Sequence, residues 1–584
     1  MKLNKYILMT SALLMGAAAY ADDFDSFGDF GDFGGDSSSG AASALEVNGS
    51  AEVDIRAYVD TSDKDNKDDA DKIDVRALPD AKLDLKYSGN KSDVELKLKV
   101  DEDTIKNHPI DVIDEAVLRG YFGNLTLEAG KMKVVWGKGD KLHVLDNFNA
   151  DDYSDFIIPD YLDRRISTPM VRAVYSLPFA NMNIEGVYTP LLPTDRFATG
   201  GRWTPVQVTG LKESVTTIAK TQVAASTERL EKARTEANQA AALKALMATG
   251  DASAAAAEKA LTAMVTAAKT EGKISVSTEE VVAWCLANSK DPTDPVWQQK
   301  AAEAVLGEKY SAYLKTELTE SETAYTLALA NANTLSANTD VIYPDLWTLK
   351  YGQFGGRATW TLGQIDMGIS YYNGWYKQPS FNGDKLNDFL TAYLASGKVS
   401  EKDKFLSYDK KQTFGLEASS LIWHFNVRGE FAYNLTDDTD GTNPWVHNNS
   451  IAWLGGFDID LPFWNANLNV QETGTYILNG GKCDENTKDK HKSDVDYDKK
   501  GYTNDKIVAN LTTSFLNDKV APEVTVMYGI ERGDLVVMPK LAYKPDQNLT
   551  LTASGMIINC ADEDSEFYGW RKNSFASIGA KYQF

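Results

Sequence analysis

Between Gly137 and Thr168 lie Asp140, Asp146, Asp151, Asp152, Asp155, Asp160 and Asp163, interleaved with Phe148, Tyr153, Phe156, Ile157, Ile158 and Tyr161. Carboxylates in this density act on passing ions by their field. A purely solvated loop has no use for so many aromatic and branched residues, so the segment is expected to be packed against something. The chain has no Gly-x-Ser-x-Gly elbow, no His-Glu-x-x-His, no phosphate-binding loop and no paired Cys/His ligand spacing. His108, His143, His424, His447 and His491 are scattered over different segments. Catalysis and a resident cofactor are therefore not expected. Asp-rich stretches such as Thr61 to Asp74 and Asp437 to Asp440 suit at most weak Ca²⁺ binding, because the regular spacing of a dedicated site is missing.

The positions able to oppose those acids are Arg119, Arg172, Arg357 and Arg428, each on the polar side of a segment that alternates polar and apolar residues. Such segments recur from Leu45 onward at about 9–11 residues, the length a tilted strand needs to cross a bilayer. In Trp423 to Tyr433, for example, Phe425, Val427 and Phe431 interleave with Asn426, Arg428 and Glu430. The polar faces carry nearly equal numbers of acids and bases, and an interior that charged must be hydrated.

About 18 strands are expected, with 16 as the other even count, since the pattern is weak at 352–362. Short turns follow the even strands, at Ser88 to Lys91, Gly123-Asn124, Leu177 to Asn181, Gly363, Ile422, Pro462-Phe463, Asn517 to Lys519 and Pro545 to Asn548. Long polar loops follow most odd strands. Turns at one end and loops at the other indicate an all-β membrane protein, an antiparallel transmembrane barrel with both termini on the turn side. The formal charge of −24 disfavours nucleic-acid partners.

The last ten residues, Phe575 to Phe584, alternate and end on an aromatic carrying the terminal carboxylate. They resemble the closing strand of a bacterial outer-membrane β-barrel. That resemblance implies outer-membrane lipid and, through the Phe584 strand, the barrel assembly machinery as partners. At the other end, Lys2 and Lys5 precede an apolar run closed by Ala19-Tyr20-Ala21, which reads as a signal peptide over 1–21. An Asp/Phe/Gly/Ser leader over 22–43 has no core-forming residues, and disorder is expected there. Three cysteines, Cys285, Cys483 and Cys560, leave one Cys483–Cys560 bridge as an option.

Residues Gly130 to Arg165, with Trp136-Gly137 and the Asn147/Asn149 region, resemble the tryptophan-glycine stretch of large outer-membrane barrels related to alginate-export porins. The acidic loop 137–168 is also similar to the third loop of general porins, which folds into the pore and faces basic wall residues. The resemblance implies a constriction built from Asp146, Asp151, Asp152, Asp155 and Asp160 against Arg119, Arg172, Arg357 and Arg428.

The barrel is expected over 44–204 and 338–584, interrupted at 205–337, where the period turns helical. Asp294-Pro295 and Ser277 with Glu280 are helix starts, Gly250 and Gly272 are interruptions, and Val215, Ile218, Leu230, Leu243 and Leu246 make an apolar stripe. This reads as an inserted helical domain in an extracellular loop. Two functions fit: passive diffusion of small hydrophilic solutes through the lumen, or an adhesin or receptor that presents the insert to a host or surface ligand on a barrel pedestal.

Overall fold

The computed structural model describes residues 45–59, 74–337, 339–482, 502–563 and 565–584. The expected signal peptide and leader, the acidic stretch from Thr61 except for its final residue Asp74, Cys483 and His491 lie outside them. Eighteen strands form one antiparallel sheet. In chain order they are β1 (Leu45–Tyr58), β2 (Asp74–Ser88), β3 (Ser92–Asp101), β4 (Ile113–Phe122), β5 (Leu125–Met132), β6 (Thr168–Leu177), β7 (Met182–Thr189), β8 (Gln353–Leu362) and β9 (Ile365–Trp375). They continue as β10 (Lys410–Ile422), β11 (Phe425–Thr436), β12 (Ser450–Asp460), β13 (Asn467–Ile477), β14 (Thr503–Thr512), β15 (Val520–Gly529), β16 (Leu535–Tyr543), β17 (Leu549–Asn559) and β18 (Phe575–Gln583).

Each strand pairs with the next, and β18 pairs back onto β1 from Ser50↔Gln583 to Tyr58↔Phe575, so no edge is left. Beyond the last paired residue, Gly49 and Phe584 exchange both backbone hydrogen bonds, at 2.9 and 3.0 Å. The count is 18, not 16, and the weakly patterned segment at 352–362 is β8.

Alternation sorts the side chains by face. Val53, Ile55, Ile369, Leu416, Phe431, Leu541 and Ile578 are exposed on the outside, whereas Arg56, Glu128, Glu185, Glu417, Glu430, Gln471, Asn510 and Ser577 are buried on the inside. An exposed apolar outside around a polar inside is the reverse of a soluble barrel and the pattern of one immersed in lipid. Among the described residues, no helix is long and apolar enough to cross a membrane.

Two strands depart from expectation. The fifth, expected over 124–136, stops at Met132, because Val134 and Trp136 turn away from the wall and are buried with Phe148 and Tyr372. The turn expected at Ile422 falls one residue later, with Trp423 in the left-handed region at φ 58°. Gly123 and Gly363 take the same conformation at φ 64° and 65° in the equivalent turns, where glycine adopts it freely.

The helical unit comprises Gly210–Pro344 together with Asn382–Phe405. Its helices are α1 (Val206–Met247), which starts just ahead of it, α2 (Ala252–Thr270), α3 (Thr278–Ala287), α4 (Pro295–Ala337) and α5 (Gly383–Ser396). Ser277 and Glu280 form a reciprocal capping box on α3, and Asp294 accepts from Val296 N at 2.8 Å at the start of α4. Gly250 and Gly272 follow α1 and α2 at φ 69° and 75°. Of the expected stripe, Leu230 is buried but Leu246 is exposed. The core is built from Ala240, Ala268, Ile274, Leu306, Tyr310 and Leu314. Small alanines let the helices approach closely, so apolar periodicity alone understates this core.

Candidate functional site

The inner wall carries a belt of alternating charge. Lys97 on β3 bonds Glu115 at 2.9 Å and Glu95 at 3.1 Å. Glu95 also receives Arg119 Nη1 at 2.7 Å, while Arg119 Nε reaches Glu128 at 2.8 Å. Arg172 then joins Glu128 at 2.9 Å to Glu185 at 2.7 Å. Arg357 on β8 bonds Glu417 on β10 at 2.5 and 3.0 Å, across β9. It can do so because the intervening residue is Gly368, where a Cβ would run into the Glu417 carboxylate. Cross-strand register brings these partners together: Arg119 lies opposite Glu128, Glu128 opposite Arg172, and Glu185 opposite Arg357.

The connection Lys133 to Ser167 packs against inward-facing side chains on widely separated strands. One anchorage is Trp136, Leu145 and Phe148, all fully buried with Met132, Met170, Val187, Tyr372 and Ala452. Phe148 meets Trp136 and Tyr372 edge-on, at 5.0 and 5.3 Å between ring centroids, and Trp136 Nε1 donates to Glu185 at 3.0 Å. A second anchorage is Phe156, which lies among Trp203, Phe567 and Trp570 at 5.1, 5.2 and 4.7 Å. Tyr58, Val536, Met556 and Phe575 belong to that cluster. The anchoring strands, β4 to β12 for the first and β1 with β16 to β18 for the second, lie on different arcs of the ring, and the segment bridges them.

The loop acids do not oppose the wall arginines as expected. Arg119, Arg172 and Arg357 are all neutralised by wall glutamates, which register had already placed beside them. Arg428 meets one loop acid, Asp140, together with Asp458 of the wall. Asp155 is gripped by Arg56 of β1 at 2.7 and 2.8 Å, an inward wall cation that the sequence reading did not pair with the loop. Burial lifts the Asp155 carboxyl above the usual range, and Arg56 pulls against it.

Asp146 and Asp151 both face Arg165 within the loop, Asp151 at 3.2 Å, and Asp146 also accepts from the Tyr161 hydroxyl. Asp152 accepts from Ser154 N at 2.9 Å and lies 3.8 Å from Arg196. Asp160 is exposed at the start of the single turn Tyr161–Arg164 and makes no side-chain cap. Asp163 bonds Lys82 of β2 at 2.7 Å, and Lys141 reaches Glu523 of β15 at 3.3 Å.

Asn149 is a further organiser: its Oδ1 accepts from Val134 N at 2.7 Å and its Nδ2 donates to the carbonyls of Met132 and Ile166, so it staples the two ends of the loop. Among the described residues Cys560 has no disulfide partner, and burial with the neighbouring Asp534 pushes its thiol pKa up to about 12.

Solved structures similar to this chain include a BenF-like porin from Pseudomonas fluorescens Pf-5, at 8% identity over 92% of this chain and 98% of that one, with a TM-score of 0.39. OccAB3 of Acinetobacter baumannii matches at 8% identity over 92% and 99%, with a TM-score of 0.38. The outer membrane protein opdK of Pseudomonas aeruginosa matches at 7% identity over 92% and 98%, with a TM-score of 0.37. No family model matches the chain, and no curated protein matches it by sequence.

Proposed function

We propose that this chain is an outer-membrane porin through which small hydrophilic solutes diffuse passively, narrowed by the acidic segment 133–167. The observation that carries the reading is a closed ring of 18 strands with lipid-compatible residues outside and ion-paired, polar residues inside. Charges that face one another across strands keep the wall wettable without presenting a single strong sign of field. In this reading the long connections, including the one that leads into the helical insert, face the outside of the cell, and the short turns and both termini face the periplasm. Kinship with alginate-export barrels rests on the Gly130–Arg165 resemblance alone.

Proteoliposomes containing the purified protein are expected to swell in isotonic solutions of small sugars, more slowly as the solute grows. Folded protein that gives no swelling would sink the reading and leave the pedestal alternative. The lipid-facing assignment has its own test. Ile578 is 63% exposed beside Ile55 on the outer face. Ile578→Arg is expected to destabilise the folded barrel in bilayers by about 2–4 kcal/mol, the cost of a cation near the midplane. A Ser577→Arg change, one residue along and facing inward, gives a different response because the side chain meets polar groups.

A further inference from the structure

The strand residue that meets the most backbone donors of the crossing loop is Glu430, midway along β11. Its side chain is 0% exposed. Oε1 accepts from Lys138 N and Gly139 N, both at 2.7 Å, and lies 3.0 Å from His143 Nδ1. Oε2 accepts from Val144 N at 2.8 Å and Leu145 N at 3.3 Å. The segment 138–145 is thus curled around one carboxylate, which has about four lone-pair directions to offer and is saturated by these donors. Gly137 makes the approach possible: it sits at φ 121°, and a Cβ there would strike the Glu430 carboxylate.

We propose, resting on the porin reading, that Glu430 is the positioning residue that holds the tip of the crossing loop inside the lumen, and that its carboxylate sets the open cross-section. The neighbouring contacts do not replace it. Asp140 with Arg428 and Lys141 with Glu523 join flexible side chains, whereas Glu430 fixes four backbone N–H groups whose directions define the curl. An amide in its place keeps one accepting oxygen but turns a donor toward Val144 and Leu145, so half the clasp is lost with almost no change of volume.

The test uses the full chain in planar bilayers, wild type against Glu430→Gln and Glu430→Ala, with heat-modifiable gel mobility confirming a folded barrel. Glu472→Gln serves as control, since that acid alternates with Gln471 onto the outer face and accepts from Trp453 of β12. In parallel, Lys141→Cys is placed in each, with Cys285, Cys483 and Cys560 replaced by Ser, and labelled with a membrane-impermeant maleimide. Both Glu430 variants are expected to show larger and noisier unit conductance, and maleimide labelling faster by about tenfold, as two lost hydrogen bonds make local opening more frequent. Should Glu430→Ala fail to fold, the near-isosteric Gln variant decides. Conductance and labelling equal to wild type in the folded variant would overturn the proposal. A wild type that never conducts, with labelling still accelerated in the variants, would remove the channel reading and leave the latch standing.

Discussion

Trp136→Ala is expected to destabilise the folded protein by about 3–5 kcal/mol, the range for deleting a fully buried aromatic from a close-packed core. Trp136 is 1% exposed, packs edge-on against Phe148 and donates its indole N–H to Glu185. The cavity cannot collapse readily, because its walls are barrel strands held by continuous ladders, and the variant also strips Glu185 of one donor. Urea unfolding in lipid or detergent, followed by gel mobility, measures the loss. A change below about 1 kcal/mol, the scale of an ordinary surface substitution, would mean that the loop is not packed against the wall.

Arg165→Ala is expected to cost a similar amount, by electrostatics instead of packing. The guanidinium is 6% exposed between Asp146, at 0%, and Asp151, and also donates to the Asn149 carbonyl at 3.1 Å. Removing it strands two poorly hydrated carboxylates, which costs about 3–5 kcal/mol near neutral pH. The pH dependence has a definite sign. Burial already holds the Asp146 carboxyl above its ordinary value, with Arg165 acting in the opposite direction, so its loss raises the folded-state pKa further. An acid whose pKa is higher folded than unfolded favours the folded state at low pH, and that contribution is lost as pH rises. The variant's deficit is therefore expected to be small near pH 4, about the unfolded carboxyl pKa, and to grow toward neutrality. A deficit constant across that window would contradict the account.

The strand count could be read from residues because the outer face is dominated by apolar side chains, so Val53, Ile55, Ile369 and Phe431 impose a period of two. The segment at 352–362 was faint for a physical reason. Gly355 lies against Trp136 and Phe148, where a Cβ would come within 2.9 Å of each ring, so the packing of the loop has erased an inward side chain from the pattern. The loop's need for a packed hold was also legible, since Phe148 and Phe156 have no role in a solvated acidic loop.

Its ionic partners were not legible. Arg119, Arg172 and Arg357 stand among glutamates only once register is fixed, and register is a long-range property that one strand does not carry. Arg56 was visible as an inward cation but nothing local linked it to Asp155, 99 positions later. Glu430 looked like one wall acid among many, because its partners are backbone N–H groups, which leave no trace in residue type except Gly137. The helix α5 was missed within a loop, although Asn382, which accepts from Asp384 N at 3.1 Å, is an ordinary helix start.

Single-channel recording on purified, heat-modifiable protein in a planar bilayer tests the central claim most directly. Discrete, long-lived current steps that scale with salt concentration are predicted for a hydrated passage through the ring of β1 to β18. A correctly folded barrel that inserts and stays silent under both polarities would contradict it.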